Sequence, residues 1–275
     1  MASTLYTLRR DIVEAGRRIY QRNFVASNDG NISARVDQRR VLITPTGVSK
    51  GFMKPEDLIV VDYEGQVLEG RRKPSSEMFM HLRIFKERPD IHGIVHAHPP
   101  KATGFAVAGI PLTQCVLPEV VVTLGGIPLA EYGTPGTEEF YEPVLKYLGD
   151  YDAFLLENHG ALTIGTSVMN AYYRIETLEH FAHIALVAIQ LGKLQTLGRE
   201  DVEKLIGLRE KFGIRTKVSC ESCERNDTPE CRVVEGARER PSTPVSSNSG
   251  ATGGMPDQRV LIETITSAIL KQLAQ

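Results

Sequence analysis

Between two prolines the chain runs through Ile91–Pro99 (IHGIVHAHP), a stretch that admits few local structures. Ile94 and Val95 are strand formers, and Pro89 before and Pro99 after punctuate the run. Successive side chains of a strand point to opposite faces, so residues two apart share a face. His96 and His98 therefore project together, close enough to hold one metal ion between them. Imidazole suits zinc and its neighbours, and a catalytic zinc takes three protein ligands and keeps one position open. A third candidate ligand stands in Glu157-Asn158-His159-Gly160, just after the apolar run Ala153–Leu156. Alone, the HxH pair is explained as well by two half-buried histidines as by two ligands. The rest of the chain decides between these readings.

Before this strand, Leu5, Leu8, Ile12, Ala15 and Ile19 recur at helical spacing. Strands are expected at Asn31–Val36, Val41–Thr44, Leu58–Asp62 and Gln66–Leu68, and a helix at about Ser76 to Lys86. After it, a helix is expected at about Pro100 to Val107. Thr113–Thr123 is apolar without a clear period, and Ile127–Ala130 reads as a strand. A helix is expected from Thr137, as its N-cap, to about Tyr147. Ala153–Leu156 and Ala161–Ile164 flank the Asn158-His159-Gly160 corner. Val168, Ala171, Ile175, Leu178, Ala182, Ala185 and Ile189 then mark a long helix ending at Gly192, and a weaker one runs from about Glu200 to Lys211. The layout predicts an α/β fold with a central, largely antiparallel sheet and helices on its faces.

Composition narrows the function classes. With 41% hydrophobic and 24% charged residues the chain reads as globular, and a net charge of -2 points to neither nucleic acid nor an anionic membrane. No apolar stretch approaches a membrane span, and the first residues lack the layout of a secretory signal. Four scattered cysteines make no secreted disulfide framework, so a cytoplasmic location is expected. Cys115 reads as a buried core thiol. Cys220, Cys223 and Cys231 lack a fourth metal ligand nearby. No glycine-rich phosphate loop of the Walker or dinucleotide type is present.

Three polar loops precede the histidines: Gly30-Asn31, Thr46-Gly47 and Pro74-Ser75-Ser76-Glu77. Each is an ordinary turn by itself. Converging backbone N–H groups and hydroxyls make an anion site without arginine. The order GNIS, ITPTGVSKG, KPSSE, HAHP and NHG resembles the class II aldolase/adducin family over roughly residues 1–215. The resemblance implies a three-layer α/β/α domain, one zinc ion per subunit and a homotetramer with active sites between subunits. It makes His96, His98 and His159 the zinc ligands and Glu77 the acid/base carboxylate. Gly30, Asn31, Thr46, Gly47, Ser75 and Ser76 become the phosphate site. The implied substrate is a sugar phosphate, a 6-deoxyketose 1-phosphate cleaved to dihydroxyacetone phosphate and L-lactaldehyde.

These residue types suit such a reaction. Cleaving a carbon–carbon bond beside a ketone leaves an enediolate, whose charge a Lewis acid stabilises. Glu77 can shuttle the proton to or from the enediolate carbon, and works best if a partly dry site raises its pKa toward neutrality. A phosphate far from the reacting carbons orients the substrate. Two related alternatives stay open. An L-ribulose-5-phosphate 4-epimerase carries aspartate where Glu77 stands, and an adducin-like interaction module does without the metal. The chain departs from the family at Glu119, near the place of a tyrosine reaching over from the neighbouring subunit. It departs again at Pro135, in the place of a phenylalanine, and a C-terminal tyrosine has no counterpart after Lys217. His92 reads as a strand-start residue, and Glu176, His180 and His183 as a solvated or interface side of the long helix.

Beyond the domain at 1–216 the composition changes. Residues 217–256 are rich in Ser, Pro, Gly and Thr, which is linker composition and predicts disorder. In 257–275, Leu261, Ile262, Ile265, Ala268, Ile269 and Leu273 form one apolar stripe. So short a tethered helix is marginal alone and needs a partner. The arrangement resembles the encapsulation peptides that bind shell proteins of bacterial microcompartments, which implies a place in the lumen of such a compartment.

Overall fold

The structure is a computed structural model, and it describes residues 4–218 apart from residue 215. The expected terminal helix (257–275), Cys220, Cys223 and Cys231 lie outside the described residues, as does all of the expected linker but residues 217 and 218.

Helix α1 (Leu5–Gln21) buries Leu8, Ile12, Ala15 and Ile19, the residues whose spacing predicts it. Thr4 caps it, its hydroxyl accepting from the Thr7 N–H at 3.3 Å. Strands β1 (Asn31–Arg35), β2 (Arg40–Ile43), β3 (Ile59–Asp62) and β4 (Val67–Glu69) follow, then helix α2 (Met78–Glu87) and strand β5 (Gly93–Ala97). Helices α3 (Pro100–Val107) and α4 (Pro118–Thr123), strand β6 (Leu129–Ala130) and the short helix α5 (Glu142–Leu145) come next. Strands β7 (Ala153–Leu156) and β8 (Gly160–Gly165) and helices α6 (Val168–Gln190) and α7 (Arg199–Lys211) complete the order. Among the described residues, no helix is long and apolar enough to cross a membrane.

The strands form one sheet in the order β4-β3-β2-β1-β5-β8-β7-β6. Every neighbouring pair is antiparallel except β6 with β7. The two-residue period of each strand divides the core in two. Ile32, Ala34, Leu42, Val95, Ala97 and Leu155 pack with Ile12 of α1, Ala102 of α3 and Ile175 and Phe181 of α6. Their sequence neighbours Val41, Ile43, Ile94, Phe154 and Leu162 pack on the other face with Met80, Ile84 and Phe85 of α2 and with Phe140 and Val144. The fold is thus the expected three-layer α/β/α arrangement around a mainly antiparallel sheet.

Three expectations need correction. The single helix from Thr137 to Tyr147 is a 3-10 turn at Glu138–Phe140 followed by α5. Pro143 has no N–H to give to an earlier turn and sits instead in the first turn of α5, behind Glu142. The Thr137 side chain does not cap; its hydroxyl donates to the Thr134 carbonyl at 2.7 Å. Cys115 is buried as expected but disulfide-bonded rather than free.

Candidate active site

The site is built where β5, the β7–β8 corner and the start of α2 meet. His96 is fully buried on β5, paired across the ladder with Asn31 of β1 and Leu162 of β8. His98 lies one residue beyond the end of β5, its backbone N–H held by the Phe24 carbonyl at 2.8 Å. His159 sits in the corner between β7 and β8, where Asn158 takes a positive φ of 56°. Asparagine tolerates that left-handed backbone better than most residues. Gly160 is required for a different reason. A β-carbon there would fall 2.6 Å from the His98 ring and 2.7 Å from the Ala97 carbonyl oxygen.

The three imidazoles converge. His96 Nε2 lies 3.2 Å from His98 Nε2 and 3.1 Å from His159 Nε2. The His96 and His159 rings stack at 4.9 Å, and Phe140 meets His159 edge-on at 5.0 Å. Glu77, at the N-cap of α2, brings Oε2 to 3.2 Å from His96 Nε2 and Oε1 to 3.2 Å from His159 Nε2. His96 Nδ1 lies 2.9 Å from the Ala161 carbonyl, an acceptor, so that nitrogen carries the hydrogen. The lone pair of Nε2 therefore faces two other imidazoles and a carboxylate oxygen. Electron-rich atoms so placed repel unless a cation lies among them. A tetrahedral zinc with Zn–N near 2.0–2.1 Å sets its ligand nitrogens about 3.3 Å apart, close to the spacing seen. The donor set thus fits a divalent ion of the zinc type, and among the described residues it is the one group of this kind. The Ala161 carbonyl on His96, and Asp29 Oδ2 at 3.7 Å from His98 Nδ1, are partners that orient these two rings.

Burial pushes His96 down to about 3 and lowers His98 as well, so both stay neutral and able to bind a metal. For Glu77 the expected direction is reversed. Burial alone would raise its carboxyl, but positive charge among the histidines and the Asn31 amide N–H outweigh burial and hold it well below the usual carboxylate range. It rests as a carboxylate, ready to accept a proton.

The polar loops are stitched side by side. The Ser75 N–H donates to the Thr44 carbonyl at 3.2 Å, and the Thr46 N–H to the Lys73 carbonyl at 3.1 Å. The Thr44 hydroxyl accepts from the Ile32 N–H at 3.2 Å. Ser75 is buried, its hydroxyl accepting from the Glu77 N–H at 3.3 Å. Thr46, Gly47 and Ser76 are exposed, and a β-carbon at Gly47 would meet nothing within 4 Å. Ser76 and Glu77 line a cleft of about 250 Å³ with Gly136, Thr137, Phe140 and Tyr141. Gly30 serves packing: with φ 73°, its β-carbon would fall 2.8 Å from the His96 carbonyl oxygen. The Asn31 side chain turns inward, donating to Glu77 Oε2 at 2.7 Å.

Sequence reasoning passed over Lys50, His81 and Phe140. Lys50 is buried beneath two of the loops, its ammonium donating to the Asn28 and Val48 carbonyls at 2.8 Å each. Burial pushes it down to about 8, against the pull of Asp29 and Glu77. His81 follows Glu77 by one helical turn, a spacing visible in the sequence but silent about what lies opposite. Glu119 is exposed in the first turn of α4. His92, His180 and His183 are exposed too.

Residues 10–186 match the class II aldolase and adducin N-terminal domain. The chain belongs to that family. It is 34% identical to the L-fuculose phosphate aldolase of Methanococcus maripaludis over 63% of its own length and 93% of that protein. It is also 34% identical to the 3-oxo-tetronate 4-phosphate decarboxylase of Haemophilus influenzae, over 70% of the chain and 93% of the relative. The solved structure of an L-fuculose 1-phosphate aldolase superposes with a TM-score of 0.69 at 32% identity, covering 75% of this chain and 96% of that one. This class II aldolase domain thus has relatives that bear the names of different reactions on phosphorylated substrates.

Proposed function

We propose that this chain is a zinc-dependent lyase cleaving a 6-deoxyketose 1-phosphate, L-fuculose 1-phosphate or L-rhamnulose 1-phosphate, to dihydroxyacetone phosphate and L-lactaldehyde. The observation that carries the reading is Glu77 set 3.2 Å from two members of the histidine triad, on the side of the sheet reached by the polar loops. His96, His98 and His159 would hold one zinc ion, which as a Lewis acid stabilises the negative charge that develops on the ketone and its neighbouring hydroxyl. Glu77 moves the proton. In cleavage the hydroxyl on the aldehyde-side carbon gives up its proton as the carbon–carbon bond breaks, and Glu77, having taken up a proton, delivers one to the enediolate carbon; condensation runs the reverse. Gly30, Asn31, Thr46, Gly47, Ser75 and Ser76 form the phosphate site, through backbone N–H groups and hydroxyls. Lys50 adds positive charge below the loops.

A second reading is favoured by the decarboxylase relative. Loss of carbon dioxide from a 3-oxo acid phosphate also leaves charge beside a ketone, so the same residues serve with a different leaving group. One experiment separates the two. Purified zinc-loaded protein is offered each substrate, with trapping of dihydroxyacetone phosphate and of carbon dioxide. Triose release from a ketose 1-phosphate supports the aldolase, and carbon dioxide release from the 3-oxo acid phosphate, with the same triose phosphate as its co-product, supports the decarboxylase. Epimerisation without either product rejects both.

The reading extends to assembly and location. The domain at 1–216 forms a homotetramer with sites between subunits, in the cytoplasm, and residues 257–275 bind a microcompartment shell protein that brings the enzyme into the lumen. The support is the family resemblance and the apolar stripe of the tail. Fusing 257–275 to a fluorescent protein in cells making the shell tests it: punctate fluorescence is expected, and diffuse fluorescence rejects the docking role.

A further inference from the structure

Asn31 and Ser33 are alternate residues of β1 and so face the same side of the sheet, toward α2. Glu77 and His81 lie one helical turn apart at the start of α2 and face back. The four side chains form an unbroken buried chain. Ser33 Oγ is 2.6 Å from His81 Nδ1, His81 Nε2 makes a short hydrogen bond with Asn31 Oδ1, and Asn31 Nδ2 donates to Glu77 Oε2 at 2.7 Å. Ser33 and His81 are 0% exposed, Asn31 4% and Glu77 9%, so no water completes or replaces these bonds without a cavity to hold it.

The chemistry of each atom fixes the direction of the chain. An ionised Glu77 only accepts, so Asn31 must turn its NH2 toward it. The carbonyl end of that amide then faces His81, which must present Nε2–H. Nδ1 is left with a lone pair and accepts the Ser33 hydroxyl hydrogen. In the other tautomer, His81 Nε2 would set a lone pair against Asn31 Oδ1. The amide would turn over and aim its oxygen at the Glu77 carboxylate. One arrangement satisfies every buried group, and the tautomer of His81 selects it.

We propose that His81 is a positioning residue for Glu77: through the Asn31 amide it commits Oε2 to a hydrogen bond and leaves Oε1, which faces His159 Nε2 at 3.2 Å, as the oxygen that moves the substrate proton. The proposal rests on the reading of Glu77 as the acid/base group. His81 itself is too buried to touch substrate and acts only through Asn31.

The test uses the zinc-loaded full chain and three proteins: wild type, His81→Met and His81→Gln. Glutamine places an amide N–H near the position of Nε2, whereas methionine fills the space without a donor. His81→Met is expected to lower kcat about 10–100-fold, the usual cost of losing a partner behind a functional group, with KM and zinc content little changed. His81→Gln is expected to recover most of that loss. Nitrogen NMR of histidine-labelled wild type is expected to show His81 protonated at Nε2. Wild-type kcat in His81→Met overturns the proposal. So does a folded His81→Gln no better than His81→Met, or a His81 protonated at Nδ1. Near-wild-type kcat in Glu77→Gln while His81 carries Nε2–H overturns the acid/base reading of Glu77 instead. The two failures are therefore distinguishable.

Discussion

The two faces of the central sheet are made from the same strands and both bury an apolar core, but one also carries the polar groups of the site. On β1 and β5, Ile32, Ala34, Val95 and Ala97 point toward α1, α3 and α6, into a core of apolar side chains. Asn31, Ser33 and His96, their immediate neighbours in sequence, point toward α2 and meet His81 and Glu77. Both faces are buried. The first gains stability from removing apolar surface from water. The second has an apolar core of its own, with Ile94, Phe85 and Leu162, and buries polar groups beside it, which is tolerable only because each finds a partner. The difference teaches how the fold carries a site at its centre: apolar residues on both faces hold the sheet together, and the period of two turns Asn31, Ser33 and His96 to one of them.

The comparison can be broken most severely at Glu77. Glu77→Gln keeps the shape but cannot take a proton, and is expected to lose cleavage by on the order of 10²–10⁴-fold while keeping zinc. Near-full activity in steady-state assays would make the polar face merely structural. His96→Ala, His98→Ala and His159→Ala should each lower metal content and activity together, read by metal analysis of protein purified without chelator. A variant that keeps full zinc removes that histidine from the ligand set.

The apolar face should respond in the other currency. Phe181→Ala in α6 is expected to cost about 3–5 kcal/mol of stability in urea unfolding, with zinc per folded chain unchanged. If zinc is lost first, the faces are not separable in this way.

A smaller effect sharpens the contrast by pH. His81 is held down to about 4 by burial, whereas an unfolded histidine titrates near 6.5. Below about 6.5 the unfolded chain takes up a proton that the folded one refuses, so this contribution is whole above that pH and is lost as pH falls toward about 4. Glu77, held low, loses its contribution only below the ordinary carboxylate range. The urea midpoint of metal-free protein should therefore drop between pH 7 and pH 5, and drop less in His81→Gln. Equal drops would assign the effect elsewhere. The smallest effect is expected at His92, exposed just before β5 with Nδ1 at 3.1 Å from the Asp90 carbonyl. His92→Ala should leave zinc content and activity as they are, and an emptied site would overturn the triad.

Much of this was legible in the sequence. Apolar spacing located α1 and α6, and alternation or short apolar runs between turns located the strands, because such patterns are a direct image of which side chains leave water. The triad was legible too, since HxH at a strand end and NHG at a corner are local patterns. The broken segment at 138–147 was not: the apolar residues there suit a helix, and Pro143 interrupts it. The direction of the Glu77 pKa was not legible either. Burial and hydrogen bonding push a carboxyl in opposite ways, and which prevails depends on partners distant in sequence.

By itself, then, the sequence determined the periodicities, the local turns and the types of residue available for metal, proton and anion. Only the tertiary structure decided which of them meet. His96 faces Glu77 because β5 pairs with β1 in a register that sets His96 opposite Asn31, with α2 lying over that face. His81, a lone histidine on an apolar helix, acquired a role only when Asn31 and Ser33 were placed across from it. The physical reason is that a hydrogen bond or a ligand set is a relation within about 3 Å. The linear code specifies such a relation only through the packing that closes the distance.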